Sequence, residues 1–341
     1  MAQYVGLDVA LRKTAVCVVD GRGERIWEGT CGSTPEAIME ALRRHAPAAV
    51  RIGMETGPLA VWHWYSLREA GFPVVCLHAR HAKAALAIQL NKTDPNDAYG
   101  LAQIVRTGWL RPVVLKSMGS YRLRLVLAVR ARLVGTRTQL YNQIRGLVKT
   151  FGIVLGAGKG GTFEHLVEQA LPPDPTVRLI LESQLSLWRT VGQLIRSYDQ
   201  LLDRTAARDP VCRRLQTVPG VGTLTAVAFR VTIDDPSRFT SGADVAAYLG
   251  LTPQRYQSGA VDRAGRITKS GDVLMRTLLY EAAHQILSRA RTPSSLQRWG
   301  QQLERRVGHR KASVAVARKL AIVLYCLWRD GTEFRPEAQA A

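Results

Sequence analysis

Residues 3–107 change hydrophobic period in an order that few sheets can accommodate. Residues 3–9 and 14–19 are rich in β-branched side chains and read as strands. Asp20-Gly21 and Gly23 make the turn to a third strand over residues 25–30. Thr34-Pro35-Glu36 then opens a helix that runs to His45, with Thr34 as its cap and Pro35 in its first turn. A short buried strand at 50–54, a helix at 59–70 closed by Gly71, a strand at 73–77 and a helix from Asp94 to Thr107 follow. Three hairpin-linked strands leading into helix–strand alternation predict an α/β layered sheet with an antiparallel start.

That last helix begins Thr93-Asp94-Pro95-Asn96-Asp97-Ala98. Pro95 has no backbone N–H and belongs in a first helical turn, which makes Asp94 the N-cap and sets Asp97 at the same end. Two carboxylates there also suit the positive end of the helix dipole, so capping alone accounts for them locally. Two further acids stand at element ends. Asp8 closes the first strand among apolar residues, where a carboxylate is costly unless paired or coordinated. Glu55 closes the fourth, in Gly53-Met54-Glu55-Thr56-Gly57. Four acids converging from distant sequence would repel one another unless cations held them, as in two-metal phosphoryl transfer, where the ions lie about 3.5–4 Å apart.

Charge decides the class of partner. The chain has 341 residues with 47 Lys+Arg against 27 Asp+Glu, a formal net charge of +20. This favours a polyanion, nucleic acid before an anionic membrane. Asp8, Arg12 and Lys13 interrupt any signal peptide, and the apolar stretch at 320–328 is far shorter than the ~20 residues a span needs. Five scattered cysteines without a CxxC pair predict buried thiols in a reducing cytoplasm.

The charge is concentrated. Between Asp97 and Glu164 there is no acid, and eleven basic residues: Arg106, Arg111, Lys116, Arg122, Arg124, Arg130, Arg132, Arg137, Arg145, Lys149 and Lys159. Leu133, Leu140, Ile144, Leu147 and Phe151 follow helical spacing within this run, which predicts a long helix with a partner-helix seam and a phosphate-binding face. The Gly-rich stretch 156–162 is not a P-loop: Ile153 and Gly160 stand where that motif needs Gly and Ser or Thr. It reads as a hinge between that helix and a second one over 177–204, the two forming an antiparallel pair.

A new domain begins near Val211. Thr217-Val218-Pro219-Gly220-Val221-Gly222 before 223–229 resembles a helix-hairpin-helix, whose backbone N–H groups can hold a phosphate. Ser258-Gly259 follows in a flexible basic loop with Arg255, Arg263, Arg266 and Lys269. A Ser-Gly pair alone is a turn. The surrounding cations would bind a phosphodiester and stabilise transition-state charge. Tyr256 is a rival nucleophile; Ser270 is a poorer one, since Lys269-Ser270-Gly271 reads as a helix start. The remainder to Trp328 is helical and basic, including Arg289, Arg291, Arg298, Arg305, Arg306, Arg310 and Lys311.

Gly6-Leu7-Asp8, Met54-Glu55-Thr56-Gly57 and Lys92-Thr93-Asp94-Pro95-Asn96-Asp97-Ala98, in this element order, resemble the RuvC-like branch of the RNase H fold. The resemblance is to the DEDD transposases of the IS-one-ten (IS110/IS1111-like) insertion sequences. Residues 249–276 resemble the transposase domain of the same family, whose nucleophilic Ser precedes Gly and maps onto Ser258. A common form of that motif has a second Ser where Gln257 stands here. The resemblance covers nearly the whole chain and implies four parts: a RuvC-like catalytic domain (1–112), a basic helical coiled-coil region (113–207), a mostly helical C-terminal domain with the helix-hairpin-helix-like element (208–330), and a frayed tail (331–341).

It implies a transposase/recombinase in which Asp8, Glu55, Asp94 and Asp97 hold Mg2+ and Ser258 forms a covalent link to DNA. A Ser hydroxyl is a weak nucleophile, and a metal ion could activate it or polarise the phosphate. The implied partners are donor and target DNA, a structured noncoding bridge RNA, and further copies of the chain as a dimer or tetramer, with the site composed between subunits. Arg122, Arg124, Arg130, Arg132, Arg137, Arg145, Lys149, Arg255, Arg263, Arg266 and Lys269 are the expected nucleic-acid contacts. The competing readings are a metal-dependent nuclease or junction resolvase that uses water, and a nucleic-acid scaffold whose acids only cap helices.

Overall fold

The computed structural model describes residues 1–87, 93–110, 112–158, 160–259, 261–289 and 293–337. The chain divides into two compact units, Met1–Leu115 and Lys116–Ala341.

The first unit runs β1 (Gln3–Val9), β2 (Lys13–Val19), β3 (Arg25–Gly32), α1 (Pro35–His45), β4 (Ala49–Glu55), α2 (Ala60–Glu69), β5 (Val74–Leu77), α3 (Ala79–Leu86) and α4 (Asp94–Thr107). Its sheet has the order β3-β2-β1-β4-β5. The first three strands are antiparallel neighbours, while β4 and β5 run parallel to β1. This is the α/β sheet with an antiparallel start that the element order predicts, in a strand order that agrees with the resemblance to the RNase H fold. The β2–β3 turn closes because the Asp20 carboxylate accepts from the Arg22 and Glu24 N–H groups at 2.9 Å each. Those bonds hold its carboxyl below the usual carboxylate range.

Period-2 alternation splits the sheet into two faces. Val5, Leu7, Val16, Val18, Ile52 and Met54 face one way and pack with Ile38, Leu42 and Leu67 of α1 and α2. Ala15, Cys17 and Val19 face the other way, onto Ala98 and Ala102 of α4. Small residues let α4 lie close on that face: a Cβ at Gly6 would stand 1.9 Å from the Ala98 carbonyl oxygen, and one at Gly53 would stand 2.4 Å from Val105 Cγ1.

The second unit contains α5 (Met118–Leu147), α6 (Gly161–Gln169), α7 (Pro175–Arg208), α8 (Pro210–Leu215), α9 (Thr223–Ile233), α10 (Gly242–Tyr248), β6 (Pro253–Ser258), β7 (Val261–Ile267), α11 (Val273–Arg289), α12 (Ser295–Val307) and α13 (His309–Asp330). The α5–α7 pair is antiparallel. Leu140 and Ile144, late in α5, share a core with Leu181, Leu185 and Trp188, early in α7. Leu127, early in α5, joins Leu202 and Ala206, late in α7. Arg130 Nε reaches Asp199 at 2.5 Å between them.

The partner of the α5 stripe is therefore within the chain. Leu147 and Phe151 are exposed rather than seated in the seam, because α5 ends at Leu147 and passes into a 3-10 turn that breaks the spacing. The middle helices and the C-terminal part lie within the one compact unit Lys116–Ala341. The expected frayed tail is partly docked: Phe334 N–H donates to Thr217 Oγ1 at 3.0 Å, and Ser295 N–H to the Pro336 carbonyl at 2.9 Å. Residues 338–341 lie outside the described residues, as do the expected basic positions Arg111, Lys159 and Arg291. Among the described residues no helix is long and apolar enough to cross a membrane.

Candidate active site

Register brings two of the acids together. In the parallel β1–β4 pair Leu7 stands opposite Met54, so Asp8 and Glu55 follow as neighbours on strands about 4.8 Å apart. They share the face of Gly6 and Gly53, the face α4 covers. The direction of α4 is fixed by its other end. Gln103 Nε2 donates to the Gly23 carbonyl at 2.6 Å and Arg106 to the Gly21 carbonyl at 3.3 Å, both on the β2–β3 turn. That turn follows Val19, which pairs with Tyr4, whereas Asp8 pairs with Ala15 farther along β1. The first turn of α4, with Asp94 and Asp97, therefore lies at the Asp8 end of the sheet.

The cap differs from the expected one. Thr93, not Asp94, caps α4, its Oγ1 accepting from the Asn96 N–H at 3.4 Å. Pro95 takes the second helical position, where its missing N–H is still one that would lack an intrahelical partner. Asp94 is exposed; Asp8, Glu55 and Asp97 are half-buried. Asp8 and Glu55 each engage a polar or charged neighbour. Beyond Glu55, the Thr56 hydroxyl accepts from the Ala79 N–H at 3.2 Å and ties the strand end to α3. Burial, and secondarily the charge of Glu55, push the Cys76 thiol up to about 11, which removes it as a competing nucleophile.

Four carboxylates are the donor set of a hard divalent cation such as Mg2+. The residue types suit such an ion, and the sheet register and the α4 direction bring all four to the same end of the sheet. Among the described residues, however, no three His, Cys, Asp or Glu side chains are gathered closely enough to hold one.

Ser258 belongs to the second unit. It is the last residue of β6 and pairs with Val261 of β7 across Gly259, which adopts φ +55°. The expected flexible loop is thus a two-stranded hairpin, exposed along β6 and most of β7. Arg255 grips Asp262 through two bonds of 2.8 and 2.5 Å. Tyr256, the rival nucleophile, bonds Gln254 Oε1 at 2.8 Å and lies under the Arg263 guanidinium. Arg266 and Lys269 are exposed.

The basic residues of α5 sort into two groups. Arg122, Arg132 and Lys149 are exposed, and Arg137 is half-buried. Arg124 pairs with Asp272 at 2.9 Å and Arg130 with Asp199. Arg145 donates to the Leu155 and Gly156 carbonyls at 2.6 and 2.8 Å, so it pins the chain after α5. The face of one sign read from the sequence is thus met in space by acids from α7 and the start of α11. The 216–222 turn lines a cavity of about 500 Å³ together with Gln285 and Arg289. The sequence reading did not connect these two with the turn; the i, i+4 spacing of two polar residues on α11 is the signal that would have found them.

Comparison with known proteins agrees at both ends of the chain. The DEDD_Tnp_IS110 transposase family model matches residues 5–153, and the Transposase IS116/IS110/IS902 family model matches residues 212–299. A probable family 20 transposase of Pseudomonas aeruginosa is 30% identical over 340 residues, covering 97% of this chain and 98% of that one. The chain belongs to the IS116/IS110/IS902 family of DEDD transposases. The family member for insertion sequence element IS1111A of Coxiella burnetii is 28% identical over 334 residues, covering 95% of this chain and 89% of its own length. The transposase is accordingly an enzyme of DNA transposition and recombination. Thermus thermophilus RuvC in complex with a Holliday junction substrate aligns at 14% identity and TM-score 0.26, over 33% of the transposase and 100% of RuvC.

Proposed function

We propose that this transposase excises and inserts its element through a covalent Ser258–DNA intermediate. Asp8, Glu55, Asp94 and Asp97 would hold Mg2+, and Ser258 would supply the nucleophile. The observation that carries the reading is the placement of Asp8 and Glu55 side by side at the sheet end where α4 begins with Asp94 and Asp97. When bound there, the cation supplies Lewis-acid stabilisation of charge on the phosphate and lowers the pKa of a nearby hydroxyl.

Ser258 Oγ forms a bond to phosphorus as its proton leaves, the P–O bond to one deoxyribose breaks, and the departing oxygen takes up a proton. The phosphoester bond to Ser258 keeps the energy of the broken linkage. A hydroxyl from another strand can attack it, so joining needs no ATP. The exposed hairpin suits a nucleophile that must meet a duplex, and Arg263, Arg266 and Lys269 can contact the flanking phosphates. Excision and joining act on two DNA ends, so at least two copies work together. A structured noncoding RNA that pairs with donor and target DNA would choose the sites. The net charge of +20 and the exposed Arg122, Arg132 and Lys149 suit a second polyanion beside DNA.

The test compares strand cleavage by the Ser258→Ala and Asp8→Asn variants, with trapping of the protein–DNA adduct under denaturing conditions. Both variants are expected to bind DNA and to form no adduct. Cleavage retained by Ser258→Ala would make water the nucleophile, as in a junction resolvase, and overturn the serine step. Full activity of Asp8→Asn would reduce the acids to caps. Sequencing of co-purifying RNA tests the guide: only degraded bulk RNA refutes it.

A further inference from the structure

In the first unit, α3 and the end of α4 line a cavity of about 380 Å³. That lies within the roughly 300–1,000 Å³ of small-molecule sites. Leu77, Ala82, Ala85, Ile104 and Leu110 give it apolar walls. Trp109 completes them, and its indole is 78% exposed although Trp is highly buried on average. The indole is not on a loose end. Gly108 closes α4 with φ +72°, the Trp109 N–H donates to Thr107 Oγ1 at 3.4 Å, and the Leu110 N–H donates to the Gly108 carbonyl at 2.9 Å. Farther on, the Val113 N–H donates to the Cys76 carbonyl at 2.8 Å and ties the segment to β5. The fold thus holds an aromatic face at an apolar cavity, which lowers the ordering cost for a ligand that stacks there.

Charge selects among apolar ligands. α3 carries Arg80, His81 and Lys83 and no acid, and all three are exposed. His78 and His81 belong to the cavity lining, with ring centroids 4.9 Å apart, and imidazole can donate to a base edge or to a phosphate. An aromatic face over apolar walls, with cations beside it, suits a nucleobase and its phosphate. Single-strand binding uses the same combination, with bases stacked on aromatic side chains and cations along the backbone. The position agrees. Leu77, part of the wall, stands opposite Glu55 in the parallel β4–β5 pair, and the Ala79 N–H at the start of α3 donates to the Thr56 hydroxyl. The cavity therefore adjoins the sheet end that carries Asp8 and Glu55.

We propose that this cavity holds an unpaired nucleobase, stacked on Trp109, from the strand that lies at the acid corner. A duplex keeps its bases inside the stack, so a base reaches the cavity only from a single strand or after leaving the helix. Its capture holds the strand open next to the phosphate to be cut. The place of that strand rests on the reading of the four acids as the cleavage centre; the binding of a base rests on the cavity and Trp109 alone.

Fluorescence anisotropy of the full-length protein tests it, with an oligothymidylate and a blunt duplex of the same length as probes. Divalent metal is left out, so no strand is cut. Trp109→Ala is expected to weaken single-strand binding about 5–100-fold, the usual worth of one stacked base, and Trp109→Phe to retain most of it. Ala84→Phe, which narrows the cavity and leaves the indole in place, is expected to weaken single-strand binding as well. Duplex affinity is expected to stay unchanged in all three, which a misfolded variant could not show. Unchanged single-strand binding in Trp109→Ala or Ala84→Phe overturns the proposal and leaves the cavity to an apolar protein segment. Equal weakening of both probes also overturns it, since the effect would then be general rather than one of stacking. The readout needs neither metal nor Ser258, so failure here and failure of the cleavage chemistry are read separately.

Discussion

Replacing Gly6 with Ala tests how the acid corner is held together. The new Cβ would stand 1.9 Å from the Ala98 carbonyl oxygen and 2.5 Å from the Ala102 nitrogen, where ordinary contact begins at 3.4 Å. Both atoms are helix backbone, so no side-chain rotation relieves the overlap, and α4 must retreat by about 1.5 Å. Overpacking of this kind costs about 1–3 kcal/mol. Ala also stiffens the unfolded chain, which favours folding by about 0.4–1 kcal/mol and only partly offsets the clash. The expected net loss of about 1–2 kcal/mol lowers the melting temperature of the first unit by roughly 5–10 °C. The retreat also carries Asp94 and Asp97 away from Asp8, and a misplacement of 1 Å can cost about 100-fold in rate. Thermal melts of the full-length protein and strand-cleavage assays below the melting range measure the two effects. Gly21→Ala is the control, since nothing lies within 4 Å of its added Cβ. A Gly6→Ala protein that melts and cleaves like the control would show that α4 is not seated on β1 as described.

Three further outcomes follow from particular groups. Burial, foremost, and the Arg124 charge lower the Lys116 ammonium from 10.5 to about 7, against the opposing pull of Asp272 and Asp234. Unfolded chains keep that proton up to the ordinary value while the folded one sheds it, so stability should rise as pH climbs from 7 toward 10.5, and Lys116→Met should flatten the rise in pH-dependent urea melts. Asp262→Asn frees the Arg255 guanidinium on the same exposed hairpin as Ser258 and is expected to tighten DNA binding a few-fold at low salt, measured by fluorescence anisotropy. Arg132→Ala should reduce the slope of log affinity against log salt by about 0.9, whereas Arg145→Ala, which frees two carbonyls rather than a phosphate, should leave the slope unchanged and lower stability.

The first unit was largely legible because its two periods are distinct and its turns carry Asp-Gly and Gly signals. The exception is α3 (Ala79–Leu86), of which only Ala82 is buried, so there was no apolar row to read. The β6–β7 hairpin escaped for the same reason: with β6 and most of β7 exposed, alternation leaves no hydrophobic trace, and Ser258-Gly259 read as loop. In α5 the stripe was read two residues too far, since the helix yields to a 3-10 turn after Leu147. The partners of Arg124 and Arg130 were invisible for a different reason. A run without acids in sequence says nothing about acids delivered from Asp199 and Asp272 by the fold.

The one-residue shift at the start of α4 sharpens the chemistry of the site. Had Asp94 been the cap, its carboxylate would have been committed to a backbone N–H, and metal binding would have competed with helix stability. Thr93 instead provides the capping oxygen to Asn96, and its carbonyl receives the Asp97 N–H at 2.9 Å. Asp94 and Asp97 then enter the first turn as charges favoured by the helix dipole yet not needed for the cap. A residue freed from capping can point toward Asp8 and Glu55 without cost to the helix. Thr93→Ala should therefore loosen α4 by about 1 kcal/mol, while Asp94→Asn should leave the fold nearly unchanged and remove activity. Equal losses of stability in the two variants would return Asp94 to the role of a cap.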